Sequence, residues 1–474
     1  MNPDIDLTYH FPHHFLWGTA TSAHQVEGDN ENNDWWAWEQ DGRAHDHKNI
    51  FGNHVSGAAC AWWAGKAEED IGLMADLGTN AHRLSLEWSR IEPRPGVWDE
   101  AALARYREIL TTMQRAGIQP MITLFHFTMP LWLEEQGGWK VPTSIEYFRR
   151  FTEKVVLTFG ALCTLWCTVN EPNVYASHTF FKGFCPPQKH SLYDYFDVLL
   201  SVLKAHAVAY ETIHRIQPHA QVGLAKHLIL WEPGSWLNPL DHALYATLRH
   251  NFNALTVEVL QTGRWRPSLG KKVFIPQLKG TLDWVGVNYY QRYEAKINWR
   301  TKNLQNLIFV GRHGLEKGPA WWGEFWPDGL LIHMEALHKR FHLPIYITEN
   351  GVPDPTDEHR PHYILDHLRR VWQALRLGIE VRGYFHWSLV DNFEWAEGYN
   401  PDFRFGLYAV DFETQARTPR RSAKLYKEIA TTGTISTDMA RRFAPESLEV
   451  LRAVEKTPIK QIAQHLSSED LRKP

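Results

Sequence analysis

Residues 165–175 read LWCTVNEPNVY. The stretch 165–171 is short, apolar and rich in β-branched and aromatic residues, as a buried strand is. Pro172 has no backbone N–H and disfavours helical geometry in the residue before it. The strand therefore ends with Asn170 and Glu171 held beside a stiff turn. What the Glu171 carboxylate is for depends on whether the pattern recurs and where.

It recurs seven times. Similar segments are FLWGTAT (15–21), NAHRLSLEW (80–88), QPMITLFHF (119–127), QVGLAKH (221–227), LDWVGVNYY (282–290), PIYITEN (344–350) and VRGYFHWSL (381–389). Stretches of helical periodicity lie between most of them, at 68–77, 101–116, 144–159, 192–216 and 362–377, and a last one at 422–430 follows the eighth segment. Strand–helix alternation implies parallel strands joined by crossovers, and eight units is the count of a (β/α)8 barrel. The competing doubly wound sheet needs a Gly-rich phosphate loop, and GTATSAHQVEG after the first strand lacks GxGxxG spacing. The reading is α/β, a single (β/α)8 barrel over 1–430 with extended rim loops and a short C-terminal extension at 431–474. That extension packs on the barrel, mediates oligomerisation or forms a tail. The poorly patterned stretch 292–322 is expected to be a rim loop at the site entrance.

Composition sets limits. Hydrophobic residues at 44% and charged residues at 22% suit a large globular core. Net charge is −4 with no basic run, which argues against nucleic acid as a partner. No 18-residue apolar run and no signal-like N-terminus are present, and four cysteines make no disulfide framework, so the sequence predicts a cytoplasmic protein without a membrane span. Its oligomeric state is left open. The histidines at 10, 13, 14, 45 and 47 lie in polar, loop-like segments, and Cys163 and Cys167 lack a second ligand pair, so no metal or cofactor is expected. Tryptophan is abundant at 22 residues, either as core or as flat platforms for sugar rings.

A barrel carries its functional groups where strands end. Those ends hold Gln25, His126, Asn170 with Glu171, Asn288 with Tyr290, Glu349 with Asn350, and Trp387. Polar strand ends are also what any loop junction shows. Yet Glu171 and Glu349 end the fourth and seventh strands, which face each other across a closed barrel. Two carboxylates across one bowl suit glycoside hydrolysis, one as proton donor, the other as nucleophile or as base for water. Mutual repulsion keeps one protonated, and donors keep the other charged. Arg83 in the barrel mouth needs a carboxylate partner, either of this pair or another acid such as Glu87. The Tyr290 hydroxyl is a second donor for the same carboxylate.

With these residues set out, the chain resembles glycoside hydrolase family 1, the retaining β-glycosidases. TVNEP (168–172) resembles the acid/base motif and ITENG (347–351) the nucleophile motif. FLWGTATSAHQVEG (15–28), RLSLEWSR (83–90), VGVNYY (285–290) and HWSLVDNFEWAEGY (386–399) match in the family's order. The resemblance implies Glu171 as general acid/base and Glu349 as nucleophile. Arg83 and Tyr290 would hold the nucleophile ionised, Asn170 would donate to the sugar 2-hydroxyl, and Asn288 joins this catalytic set. Gln25, His126, Glu394 and Trp395 resemble the hydroxyl-binding set, Trp387 the platform beneath the ring, and Phe405 an aromatic near the 6-position. Implied substrates are small β-glycosides or oligosaccharides: β-glucosides, with β-galactosides and β-fucosides, not their 6-phosphates. Glu394 stands where the phospho-specific branch resembles a serine, and Arg404 is the nearest cation. Phe127 stands where a tryptophan is commoner and predicts an altered pocket wall. Trp231, Trp321 and Trp322 are candidates for the aglycone cleft or for core. A transglycosylase using the same intermediate and a non-catalytic sugar-binding barrel are the alternatives.

Overall fold

The computed structural model describes residues 6–45, 50–297, 308–311 and 322–454. Trp321, His47 and the segment 455–474 lie outside them. Eight parallel strands close into a barrel: β1 Leu16–Ala20, β2 Ala81–Ser85, β3 Gln119–Phe125, β4 Leu165–Asn170, β5 Gln221–Pro233, β6 Trp284–Ile297, β7 Ile345–Asn350 and β8 Val381–Trp387. Each pairs with the next, and β8 closes on β1 from Gly383↔Leu16 to Trp387↔Ala20. Nearly every strand residue is buried, as parallel strands covered on both faces must be.

Two apolar layers result. One fills the barrel and includes Ala20, Ala81, Met121, Cys167, Ala225, Trp284, Tyr346 and Phe385. Large rings there require small neighbours: a Cβ on Gly223 would lie 2.4 Å from the Trp284 ring. The other layer lies between strands and helices. The helices form where the periodicity places them, at Ala67–Asp76, Glu100–Arg115, Thr143–Phe159, Leu192–Ile216, Arg360–Arg376 and Arg421–Thr432. Ser191 accepts from the Asp194 N–H at 3.1 Å, and Asp99 accepts from the Ala101 and Ala102 N–H groups at 2.9 Å. Each such cap contributes about 1 kcal/mol. Further helices at Pro239–Leu248, Leu255–Thr262 and Pro327–Phe341 complete the crossovers.

One expectation needs correction. Residues 292–297 are not loop: β5 and β6 run on beyond the barrel and stay paired to Pro233↔Ala295, and Ile308–Gly311 adds an antiparallel strand against Glu294–Ile297. Arg292 and Glu294 look like loop residues in sequence. Here Arg292 is buried, donates to Glu324 at 2.6 Å and Glu232 at 2.9 Å, and lies 4.0 Å over the Trp326 ring. The described part of the C-terminal extension packs on the barrel, one of the three alternatives left open by its sequence. Thr434–Ser436 pairs antiparallel with Thr8–His10, and the Tyr9 hydroxyl donates to the Leu451 carbonyl at 2.7 Å. Helices Thr437–Phe443 and Leu448–Val454 follow and pack against Arg360–Arg376. Among the described residues no helix is long and apolar enough to cross a membrane.

Candidate active site

Backbone geometry at the end of β4 puts Glu171 into the bowl. Pro172 opens the short helix Pro172–Ala176, and Glu171 takes the left-handed conformation at φ 42°, ψ 59°. Such a conformation costs a non-glycine residue roughly 1–3 kcal/mol and concentrates at functional sites. It is held by the Glu171 N–H bond to the Ala225 carbonyl at 2.8 Å, and the Glu171 carbonyl accepts from the Val174 and Tyr175 N–H groups. Across the barrel, β7 delivers Glu349. The next motif residue, Gly351, is required by close approach, since a Cβ there would lie 1.9 Å from the Trp387 carbonyl oxygen.

A continuous hydrogen-bond chain joins the two carboxylates. Arg83 donates through Nη1 to Glu349 Oε1 at 2.5 Å and through Nη2 to Asn170 Oδ1 at 2.7 Å. Asn288 Nδ2 donates to the same Asn170 oxygen at 3.1 Å and to Glu171 Oε1 at 2.8 Å. Thr348 orients Asn288 by donating to its Oδ1 at 2.6 Å, and the Tyr290 hydroxyl donates to Glu349 Oε2 at 2.6 Å. Arg83 is 1% exposed, so its charge has no access to water and depends on this partner. The alternative partner, Glu87, instead accepts from Ser89 and Thr128. Asn170 is committed at both ends: its amide nitrogen donates to His126 Nε2 at 2.9 Å. That leaves the His126 proton on Nδ1, a buried atom with no protein partner. Burial and Arg83 hold His126 well below the usual histidine range, hence neutral.

The remaining sugar-site candidates gather beside this chain. Gln25 Nε2 donates to the Phe393 carbonyl at 2.8 Å and to Glu394 Oε2 at 3.3 Å, and the Ser22 hydroxyl donates to Gln25 Oε1 at 2.6 Å. Trp387 and Trp395 each lie near-parallel to the His126 ring, with centroids 6.1 Å and 6.0 Å from it. The Trp387–Ser388 peptide bond is cis. Trp395 also stacks on His24, which Glu39 holds at 2.7 Å. Phe127 packs on Trp395 at 5.1 Å. Phe405 is buried behind Tyr290 and Trp322, at 6.2 Å and 5.5 Å. Trp322 is itself buried against the Tyr290 ring, whereas Trp231 packs on Phe252 and Tyr293 along the β5–β6 arm. Arg404 donates to the Tyr399 carbonyl and lies 4.8 Å over Phe412. Among the described residues no three His, Cys, Asp or Glu side chains gather to hold a metal ion.

Proton placement differs from the sequence expectation. Burial, with the charge on Glu171, pushes Glu349 up to about 7 against the pull of Arg83 and Tyr290. Glu171 is equally buried, yet stands below the usual carboxylate range because His227, Asn288 and Arg83 stabilise its anion. Of the pair, Glu349 is thereby the weaker acid. The cause is His227, whose Nδ1 lies 2.8 Å from Glu171 Oε1. His227 was legible in principle. It ends the predicted fifth strand at the height of the other candidates. Burial, and then Glu349, push Glu394 up to about 8, so it is neutral at pH 7. Its side chain is half-buried beside Gln25.

The family model described as "Glycosyl hydrolase family 1" matches residues 7–434. A β-galactosidase of Saccharolobus solfataricus is 30% identical, over 91% of this chain and 97% of its own length. β-Glucosidase A of Thermotoga maritima is 29% identical, over 88% and 97%. Among solved structures, a β-glycosidase from Pyrococcus horikoshii superposes with a TM-score of 0.84 at 36% identity, covering 92% of this chain and 99% of that one. The Thermotoga maritima family 1 enzyme complexed with a cyclophellitol-analogue transition-state mimic superposes with a TM-score of 0.82 at 27% identity, covering 90% and 99%.

Proposed function

Because the chain belongs to glycosyl hydrolase family 1, we propose that its bowl hydrolyses plain β-glucosides, with β-galactosides and β-fucosides, by double displacement on Glu349. The observation that carries the reading is the unbroken chain Glu349–Arg83–Asn170–Asn288–Glu171 across the barrel mouth.

In the first step a Glu349 oxygen attacks the anomeric carbon. The bond from that carbon to the aglycone oxygen breaks, and Glu171 passes its proton to the departing oxygen. An α-linked glycosyl ester on Glu349 and a Glu171 carboxylate result. In the second step that carboxylate takes a proton from water, the water oxygen attacks the anomeric carbon, and Glu349 leaves as carboxylate. Two inversions give net retention. Cleavage needs Glu349 charged and Glu171 protonated, the reverse of that order. The pair shares one proton, and positive charge developing beside Glu349 draws the anion to that side.

The sugar would rest on Trp387, with hydroxyls bonded by Gln25, His126 Nδ1, Glu394 and Trp395. A neutral Glu394 donates as well as accepts. Sugar 6-phosphates are disfavoured because the nearest cation, Arg404, is engaged with Tyr399 and Phe412. Water is the natural second-step acceptor. An alcohol in its place gives transfer by the same route.

A panel of p-nitrophenyl β-glycosides tests this, with plain glucosides turned over and the first anomer released being β. Folded protein inert on every plain β-glycoside would sink the reading. Glu171→Ala should lose most activity and recover it with azide on activated substrates, giving a β-glycosyl azide. An α-azide would rule out double displacement.

A further inference from the structure

We propose that His227 is a positioning residue for the second half-reaction, holding Glu171 as a carboxylate in the glycosyl-enzyme so that it works as a base in acid as well as at neutral pH. This deepens the reading of Glu171 as acid/base and rests on it.

The geometry is specific. His227 ends the buried part of β5, and its Nδ1 meets Glu171 Oε1 at 2.8 Å, beside the Asn288 donor to the same oxygen. A carboxylate acceptor places the imidazole proton on Nδ1. The ring is clamped, lying near-parallel to Tyr290 at 5.8 Å and edge-on to Phe252 at 5.8 Å. Its carbonyl is tied by Asn173 Nδ2 at 3.2 Å and by Lys226 Nζ at 2.8 Å. The imidazole therefore cannot swing away without unpacking the wall of the nucleophile's own partner, Tyr290. Both bonds on Oε1 leave Oε2 as the oxygen free to exchange a proton with the leaving group or water.

The charged and titrating surroundings agree in sign. From β4 comes Glu171 itself, and Arg83 and Glu349 lie beyond it. Tyr290 faces the ring from β6, its phenol pushed well above its usual value by burial, hence a neutral neighbour. His178, from the segment Ser177–Lys182, is lowered to about 4 by burial, with Lys182 and His227 adding to the effect. His333, from Pro327–Phe341, is lowered to about 3 by burial, Lys226 and His227. Lys226 on β5 itself is buried, held well below its usual value, and donates to the Phe252 carbonyl. His178 and His333 are neutral near pH 7, and Glu171 is the acidic group in contact with the His227 ring. An imidazolium at this place forms a buried ion pair with the Glu171 carboxylate, a tighter grip than a neutral donor gives.

The glycosyl-enzyme isolates this effect. Once Glu349 is an ester it carries no charge, and the pH dependence of sugar release reports the ionisation of Glu171 alone. With a 2,4-dinitrophenyl β-glucoside, whose departure needs no proton, kcat is that second step. The acid limb of kcat in the parent enzyme should lie below the ordinary glutamate value of about 4.3. His227→Phe removes the donor and the charge and should raise the limb by about one pH unit, roughly a tenfold loss of kcat below it. His227→Asn keeps a donor without a charge and should fall between the two. A purely structural role would lower kcat evenly at all pH and leave the limb in place. Limbs of both variants coinciding with the parent's would overturn the proposal, and so would a parent limb at or above the ordinary value, which needs no variant to fold. Azide rescue of Glu171→Ala is a separate outcome: rescue with an unmoved limb refutes the role of His227 and leaves the acid/base assignment standing.

Discussion

Replacing Tyr290 by phenylalanine deletes one atom and one bond. The lost hydroxyl donates to Glu349 Oε2 at 2.6 Å, a short bond between a neutral phenol and the carboxylate that must leave in the second step. The ring keeps its packing on His227, Trp322 and Phe405, with centroids at 5.8, 5.7 and 6.2 Å. The substitution therefore removes a charge-assisted hydrogen bond with little else. Such a bond is worth about 1.5–3 kcal/mol. It is strongest when Glu349 carries full charge, and weak while Glu349 is esterified, so most of that energy is lost on the way to the transition state. At about 1.36 kcal/mol per decade, kcat on a 2,4-dinitrophenyl β-glucoside should fall roughly 10- to 150-fold. The Tyr290 hydroxyl pulls Glu349 down, so the variant's Glu349 should ionise above about 7. The glycosyl-enzyme should accumulate, visible as a burst in rapid-mixing traces. A variant as active as its parent, or one whose loss tracks a fall in Tm, would refute the reasoning.

Three other outcomes are expected. kcat/KM for an alkyl β-glucoside should decline above about pH 7, because the glutamate pair then loses its one shared proton and no acid remains; a profile flat to pH 9 would contradict this. Glu394, raised to about 8, stabilises the fold in its protonated form, fully below its unfolded value of about 4.5 and not at all once pH passes about 8. The Tm of Glu394→Gln relative to the parent should therefore rise between those pH values, read by thermal scans; a constant difference would contradict it. Gly351→Ala drives a methyl into the Trp387 carbonyl oxygen and should cost about 1–3 kcal/mol in denaturant unfolding while lowering activity.

Much of the fold was legible because a barrel strand is a short apolar run between helices of clear period, and Leu192–Ile216 has the bounds its periodicity predicts. The β5–β6 arm was not, since Arg292 is a charged strand residue made tolerable by Glu324 and Glu232, both distant in sequence. At the site, strand-end position identified Glu171, Glu349, Asn170 and Asn288 as candidates, and geometry brings them onto one network with Arg83 and Tyr290. Charge states were not legible. They depend on which groups converge, and neither the His227 contact to Glu171 nor the depth of Glu394 is written in local pattern. The same holds for Trp322, whose packing against Tyr290 and Phe405 needs three separate rim segments in place.

Trapping the covalent intermediate tests the central claim most directly. A 2-deoxy-2-fluoro-β-glucoside with a 2,4-dinitrophenolate leaving group slows both steps but spares the first enough to load the enzyme. Peptide mapping of the inactivated protein should find one fluoroglucosyl group, as an ester on Glu349. A label on Glu171, or an enzyme that is active on β-glucosides yet never labelled, would contradict the account.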